Sequence, residues 1–241
     1  MRRIFLIALA LCAASLVFAQ TDSTVRVKRS TPKAGIRSAD HFLVQLGYNS
    51  WAGKPDSIHT KGFPHTLNAY LMFDFPFKTN PRMSVGIGPG IATDQQYFDK
   101  MNVGVAGTTT TLRFRNVSDT TNFKRNKLTM VYAEAPVELR YRSSTDDAHA
   151  FKVALGVKVG FLLNTRFKQK DQQSSAGTLE NSYTQKIAST RYFNSTRLSG
   201  SLRVGYGHWS LYGQYALTPL FKEGVGPKIN PVTFGLTLSG L

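Results

Sequence analysis

The segment Leu128–Arg142, LTMVYAEAPVELRYR, alternates between apolar and charged side chains. Apolar residues fill the odd positions from Val131 onward, and the even positions toward the end of the segment carry four charges, at Glu134, Glu138, Arg140 and Arg142. A period of two predicts a β-strand with two different faces. Because one face is apolar and the other charged, this strand separates an apolar environment from a polar one.

Seven more segments show the same alternation on either side of this one. The eight predicted strands are Phe42–Ser50, Thr66–Phe77, Met83–Thr93, Leu128–Arg142, Phe151–Phe167, Ser195–Tyr206, Trp209–Leu217 and Val232–Leu241. Three short turns lie near Lys78–Arg82, Ser143–Ala150 and Gly207–His208, and four long ones near Ala52–His65, Gln95–Asn126, Gln169–Arg191 and Pro219–Asn230. Short and long turns alternate in this way in outer-membrane β-barrels.

Aromatic residues on the apolar faces collect at the strand ends nearest the short turns or the N-terminus. They are Phe42, Phe77, Tyr141, Phe151, Tyr206 and Trp209. On a barrel they would form one ring at one height, as in the interfacial aromatic girdle of membrane proteins. A soluble β-sandwich permits the same alternation, with the apolar face inside, but it gives no reason for aromatics to gather at one end. We therefore predict an all-β fold, an eight-stranded antiparallel up-and-down transmembrane β-barrel.

The first residues predict export. Arg2 and Arg3 precede the apolar run Ile4–Val17, which is too short to span a bilayer as a helix. Small residues then predict cleavage of a signal peptide, residues 1–19, after Ala19. Residues 20–40 are polar and basic and predict a flexible periplasmic tail, and residues 41–241 form the predicted barrel. The only cysteine, Cys12, lies in the signal peptide, so we expect no disulfide.

The net charge is strongly positive, with 30 Lys and Arg against 14 Asp and Glu. Nucleic-acid binding is the obvious alternative, but the basic residues are scattered and no nucleic-acid-binding motif is present. We expect an outer-membrane localisation with lipid and lipopolysaccharide as partners, other envelope proteins as further partners, no nucleic acid, and a monomeric chain.

Strand parity predicts a cluster of charges in the barrel interior. Its members are Asp74, Glu134, Glu138, Arg140, Lys152, Lys158, Arg197 and Arg203. An eight-stranded barrel is just wide enough for its own side chains, and unpaired buried charges are costly. A salt-bridged plug is therefore the favoured interpretation, and a narrow water-filled channel is the alternative.

Tyr132–Tyr141, YAEAPVELRY, resembles the Y-x-E-x-P-x-x-x-x-Y stretch of an outer-membrane β-barrel family common in Bacteroidota, which includes the PorT-like proteins. Further segments resemble other parts of that family: Phe75–Phe77 with Asn80–Pro81, Leu155–Asn164, and Tyr212–Phe221 followed by Pro231 and Gly235. The resemblance covers most of residues 42–241 and implies a barrel without a defining catalytic site. The chain departs from many barrels in ending on Leu241 instead of an aromatic residue.

No catalytic constellation stands out. The histidines at positions 41, 59, 65, 149 and 208 lack metal-ligand spacing. His59 and His65 with Ser57 or Asp56 form a weak candidate dyad, for which ordinary loop polarity is the simpler explanation. Gly86–Gly90, GIGPG, is not followed by a helix, so we interpret it as small interior residues instead of a phosphate loop.

We predict no enzyme activity and no cofactor. The leading function is a structural or surface-interaction role of the long loops, and a small porin-like pore or an accessory role in secretion is the alternative.

Overall fold

The computed structural model describes residues 42–107, 109–118, 121–144, 149–174 and 178–240. The predicted signal peptide, the predicted tail and Cys12 lie outside these ranges. Within them the regular structure consists of thirteen strands and no helix. The strands are β1 (Phe42–Ala52), β2 (His65–Leu71), β3 (Phe73–Pro76), β4 (Met83–Ile87), β5 (Gly90–Phe98), β6 (Met101–Val103), β7 (Phe114–Asn116), β8 (Thr121–Arg142), β9 (Phe151–Ser174), β10 (Leu179–Ala188), β11 (Thr196–Tyr206), β12 (Trp209–Ala216) and β13 (Asn230–Ser239).

Every strand pairing in the main sheet is antiparallel. The pairings run in the order β9–β11–β12–β13–β1–β2–β5–β8, and β8 also pairs with β9. This last pairing joins the two ends of the series, so the ladder of hydrogen bonds returns to its first strand. The predicted all-β antiparallel architecture is confirmed, whereas the strand count differs from the predicted eight.

Two of the strands beyond the predicted eight arise because two predicted strands are each interrupted once, without a change in register. β2 pairs with β5, and β3 pairs with β4, in one continuous register that passes Met72 and Gly88–Pro89. Proline lacks an amide hydrogen and disturbs a ladder. At this level Leu71 donates to the carbonyl of Pro89 over 2.9 Å and Gly88 donates to that of Pro136 over 3.4 Å. Each predicted strand is therefore divided in two without any slip in pairing.

The remaining extra strands lie in segments that we predicted as long turns. β5 extends to Phe98, β8 begins at Thr121, and β9 continues to Ser174 before β10 returns along it. The expectation that Gln95–Asn126 and Gln169–Arg191 are loops is therefore wrong over much of their length. Their polar composition gives no alternation of apolar and polar residues, so the sequence carried no signal for these strands.

Burial is reversed relative to a soluble protein. Large apolar side chains stand exposed on the outer face of the closed ladder, among them Leu211 at 67 % and Leu155 at 62 % exposure. Polar and charged side chains such as Glu134 and Lys158 are buried on its inner face. An apolar surface of this extent indicates contact with lipid or a partner. In the described ranges no helix is long and apolar enough to cross a membrane.

Candidate functional site

The candidate site is the inner face of the closed ladder. The predicted interior charges lie here: Glu134, Glu138, Arg140, Lys152, Lys158, Arg197 and Arg203 are buried, and the side chain of Asp74 retains 13 % exposure. They project from β3, β8, β9 and β11, whose alternation points every second residue inward. The structure thus brings the whole predicted set to one surface, where all but Lys152, which lines a small cavity beside the others, divide into three groups.

The first group is centred on Glu134. Arg197 Nε donates to Glu134 Oε1 over 3.0 Å, and Tyr70 Oη donates to Glu134 Oε2 over 2.6 Å. Arg197 forms a second ion pair with Asp94. A guanidinium shared by two carboxylates fits the fork geometry of arginine, so the four side chains tie together β2, β5, β8 and β11.

Arg197 also lies over an aromatic face. Its guanidinium carbon is 3.8 Å from the centre of the Tyr132 ring, and both side chains are buried. A cation above a ring face is attracted by the ring quadrupole, most strongly when water is excluded. Tyr132 therefore forms one side of the socket that holds the arginine between its two carboxylates.

Lys158 forms the second group, and its contacts within hydrogen-bond distance are neutral. Its Nζ donates to Gln45 Oε1 over 2.7 Å and to Gln214 Oε1 over 2.9 Å, and it lies 3.2 Å from Tyr70 Oη. The side chain is 1 % exposed. Three neutral oxygens satisfy the three donors of an ammonium group, while Tyr70 connects this group to Glu134.

The third group lies nearer the short turns. Glu138 Oε2 accepts hydrogen bonds from Arg203 Nη2 over 2.9 Å and from Arg140 Nε over 3.0 Å. Arg140 Nη1 is 3.5 Å from Asp74 Oδ1, which also accepts a hydrogen bond from Ser84 Oγ over 2.7 Å. The carboxylates and guanidinium groups thus alternate, which is how charges are best accommodated in a confined interior.

A small cavity remains beside the third group. It measures about 30 Å³ and is lined by both acidic and basic residues, among them Asp74, Arg140, Arg142, Lys152 and Arg203. A space of this size holds about one water molecule. It is too small for a drug-sized ligand, whose sites are at least tenfold larger.

An apolar cluster closes the opposite end, which we call the long-loop end. Inward residues of the strands meet residues of the connecting segments there, including Trp51, Phe98, Leu128, Phe167, Tyr192, Phe193 and Phe221. Asn194 Nδ2 donates to the carbonyls of Pro219 and Phe221 over 2.7 and 2.9 Å, and Leu112 donates to Val225 over 2.7 Å. The connecting segments therefore fold over the end of the ladder and bind to one another.

Sequence reasoning missed both Asp94 and this apolar cluster. Asp94 was placed at the edge of a supposed loop, so its inward position was not recognised. The cluster has a visible signal, because Leu128, Met130 and Tyr132 are apolar at the same parity as Glu134. A change from charged to apolar residues on one strand face marks the level at which the interior changes from polar to apolar.

The six aromatic residues predicted as a girdle lie on the outer face. Their exposures run from 39 % to 63 %, at Phe42, Phe77, Tyr141, Phe151, Tyr206 and Trp209. All six stand near the short turns, and Tyr206 pairs with both Phe151 and Trp209. The arrangement places six aromatic rings at one end of the apolar outer surface.

The histidine candidates do not assemble into a catalytic group within the described ranges. His65 Nδ1 lies 3.0 Å from the carbonyl of Phe63, and His208 Nδ1 lies 3.0 Å from that of Ser239. In the described part of the chain no hydrogen bond joins His59 or His65 to Ser57 or Asp56, and His41 lies outside that part. No cluster of potential metal ligands occurs among the residues that the structure describes.

Comparison with known proteins gives one result for the family. The profile described as "Outer membrane protein beta-barrel domain" matches residues 18–222. No curated protein matches the chain. The matched segment contains twelve of the thirteen strands and all the interior charges named above, and the family places the chain in the outer membrane. The chain therefore belongs to the outer membrane protein beta-barrel domain family.

Proposed function

We propose that this protein is a closed, eight-stranded up-and-down barrel of the bacterial outer membrane with a structural or surface-interaction role. If the interrupted pairs β2/β3 and β4/β5 each count as one strand, the series of pairings that returns to β9 contains eight strands. With the predicted tail in the periplasm, the long-loop end faces outward. The chain is exported by its N-terminal signal peptide, acts as a monomer, and needs no cofactor.

The observation that carries the proposal is that two layers of side chains, one polar and one apolar, close the interior. Three polar groups, the first two of them linked through Tyr70, lie at the proposed level of the membrane, and the apolar cluster with Phe98, Phe167 and Phe221 lies above them. Ions would have to cross both layers, and the ion pairs of Arg197 and Glu138 would have to break. Buried pairs of this kind are costly to disrupt, which favours a non-conducting barrel over a pore.

Conductance in planar bilayers tests this proposal. The purified, refolded protein should give no stable current steps at neutral pH, and an outer-membrane porin inserted in parallel serves as the positive control. Regular steps from the wild-type protein would contradict a closed interior and favour the small-pore alternative.

The surface role is assigned to the extension beyond the membrane. Among the described strands β10 pairs only with β9, and its side chains are exposed on both faces, with Leu179 at 55 % and Tyr183 at 41 % exposure. An unpaired strand edge with apolar groups is a common partner-binding feature. A photo-crosslinking residue at Tyr183 should capture an envelope protein in intact cells, whereas one at Leu236 on the outer apolar face should not.

The same exposed edge favours a second candidate, an accessory role in protein secretion like that of the PorT-like relatives in Bacteroidota. Deleting the gene should then block export of secreted proteins, and a chain lacking the β10 edge should fail to restore export. Normal secretion in the deletion strain would exclude this candidate and leave the general surface role.

A further inference from the structure

Three lysines stand side by side on the outer surface of β8, β9 and β10. Lys127 pairs directly with Lys168, and Lys168 pairs directly with Lys186. Arg166 lies two positions from Lys168 on β9 and faces the same side. Like charges directly opposite each other destabilise a pair of strands, so this row opposes the pairing in which it occurs.

The row lines an open groove of about 340 Å³ together with Thr129, Val131 and Asn164. The groove contains four basic side chains and no carboxylate. In the part of the chain that the structure describes, Lys127 donates to Gln95 Oε1 over 2.9 Å, and none of the four basic residues forms an ion pair. Partial burial, followed by the charges of Lys168 and Arg125, lowers the pKa of Lys127, which lies beyond the spanning part of β8.

The height of the groove relative to the membrane follows from strand geometry. The outward residues of β8 are apolar from Val131 to Tyr141. At about 3.3 Å per residue and a tilt of about 40°, these ten steps span about 25 Å, the height of the apolar band of a membrane barrel. Lys127 lies four residues further, about 10 Å beyond the band by the same geometry. The basic row therefore lies at the level of the outer-leaflet headgroups.

We propose that Lys127, Arg166, Lys168 and Lys186 bind the phosphate groups of a phosphorylated glycolipid of the outer leaflet. The inference rests on the proposed outward orientation of the long-loop end. Several phosphates on one headgroup match four cations spread over three strands better than a single small anion does. Val131 at the lower end of the groove meets the apolar band, so the acyl chains of the same lipid can continue down the barrel wall.

Native mass spectrometry of the full mature protein in detergent, titrated with bisphosphorylated lipid A, tests the proposal. The variant K127Q/K168Q/K186Q should bind on the order of a hundredfold more weakly, at about fivefold per lysine near an anionic surface. The control K78Q/K222Q/K228Q removes three exposed lysines elsewhere and should bind like the wild type. Dephosphorylated lipid A should not bind at this site, and added salt should weaken the wild-type affinity.

Three results would overturn the proposal. They are unchanged affinity of the triple variant, equal binding of dephosphorylated lipid A, and competition by inorganic phosphate at concentrations similar to the lipid, which would indicate a site for a soluble anion. A folding control separates lost binding from lost structure, because without lipid the triple variant loses repulsion and should unfold at the same or higher temperature than the wild type. Since none of these measurements depends on conductance or crosslinking, failure here leaves the closed-barrel proposal standing.

Discussion

Glu134 on β8 joins β11 and β2 in the interior, through its bonds to Arg197 and Tyr70. Replacing it with alanine would leave the buried guanidinium with Asp94 alone. We expect Glu134→Ala to reduce the free energy of unfolding by about 3–5 kcal/mol, as for other broken buried pairs. Reversible urea unfolding in detergent or lipid measures the loss.

The matched control is Glu223→Ala, which removes the same charge from an exposed position at the long-loop end. Exposed substitutions usually change stability by less than about 0.5 kcal/mol. If both variants lose the same amount, Glu134 is in contact with water, and the charged face would be the surface of a soluble fold or of a wide channel.

Glycine gives a second prediction at the scale of single residues. A methyl group on Gly156 would lie 2.3 Å from the carbonyl oxygen of Val137, whereas one on Gly200 would meet nothing within 4 Å. We expect Gly156→Ala to cost about 1–3 kcal/mol by overpacking, and Gly200→Ala to be neutral or to stabilise by up to about 1 kcal/mol. The same urea titration compares the two variants, and equal effects would show that β8 and β9 do not approach this closely.

At the scale of elements, the connecting segments form a structural layer of their own. Phe221 is 2 % exposed and contacts the rings of Trp51, Phe114 and Phe193. We expect Phe221→Ala to cost about 3–5 kcal/mol, as for other buried phenylalanines. Phe63→Ala is the control, because Phe63 is 64 % exposed on the outer surface. A small effect of Phe221→Ala on thermal unfolding would mean that the long-loop end is open.

Strand positions were predictable to different degrees, for physical reasons. Within the membrane one face must be apolar, so the alternation is strong, and β11, β12 and β13 begin and end within two residues of their predicted bounds. Beyond the membrane neither face must be apolar, so the ends of β8 and β9 and the whole of β10 gave no such signal. The breaks near Met72 and Pro89 depend on hydrogen bonds to a neighbouring strand, which a single strand does not reveal.

The sequence predicted which charged side chains face the interior, but not which of them contact one another. Parity alone placed Glu138, Arg140 and Arg203 on one face. Which cation meets which carboxylate depends on register between strands far apart in sequence, so the pairing of Arg197 with Asp94 could not be read from spacing. The neutral environment of Lys158 depends in the same way on Gln45 and Gln214, from two other strands.

At the scale of the whole molecule, the outer apolar surface predicts that the cost of placing a charge on it depends on the depth of the charge in the membrane. Val157 lies on that surface at 45 % exposure, near the middle of the outward apolar stretch of β9, which runs from Phe151 to Leu163. We expect Val157→Lys to cost about 2–4 kcal/mol in lipid, because a charge at mid-membrane loses its hydration. Thr129→Lys lies beyond the apolar band on the same side of the wall and should cost about 0–1 kcal/mol. Equal costs for the two variants in lipid vesicles would contradict the calculated position of the band.

Orientation is the last property of the whole molecule that can be tested directly. In the proposed arrangement the long-loop end faces the medium and the short turns face the periplasm. Cysteines at Ser118 and Thr184 should therefore react with a membrane-impermeant maleimide on intact cells, and a cysteine at Thr79, exposed in the turn between β3 and β4, should react only after the outer membrane is permeabilised. The parent chain is the background control, because cleavage of the predicted signal peptide would remove Cys12, its only cysteine. Reaction of Thr79→Cys on intact cells, with Thr184→Cys protected, would mean that the barrel is inverted, and the basic groove beside β10 would then face periplasmic phospholipid in place of surface glycolipid.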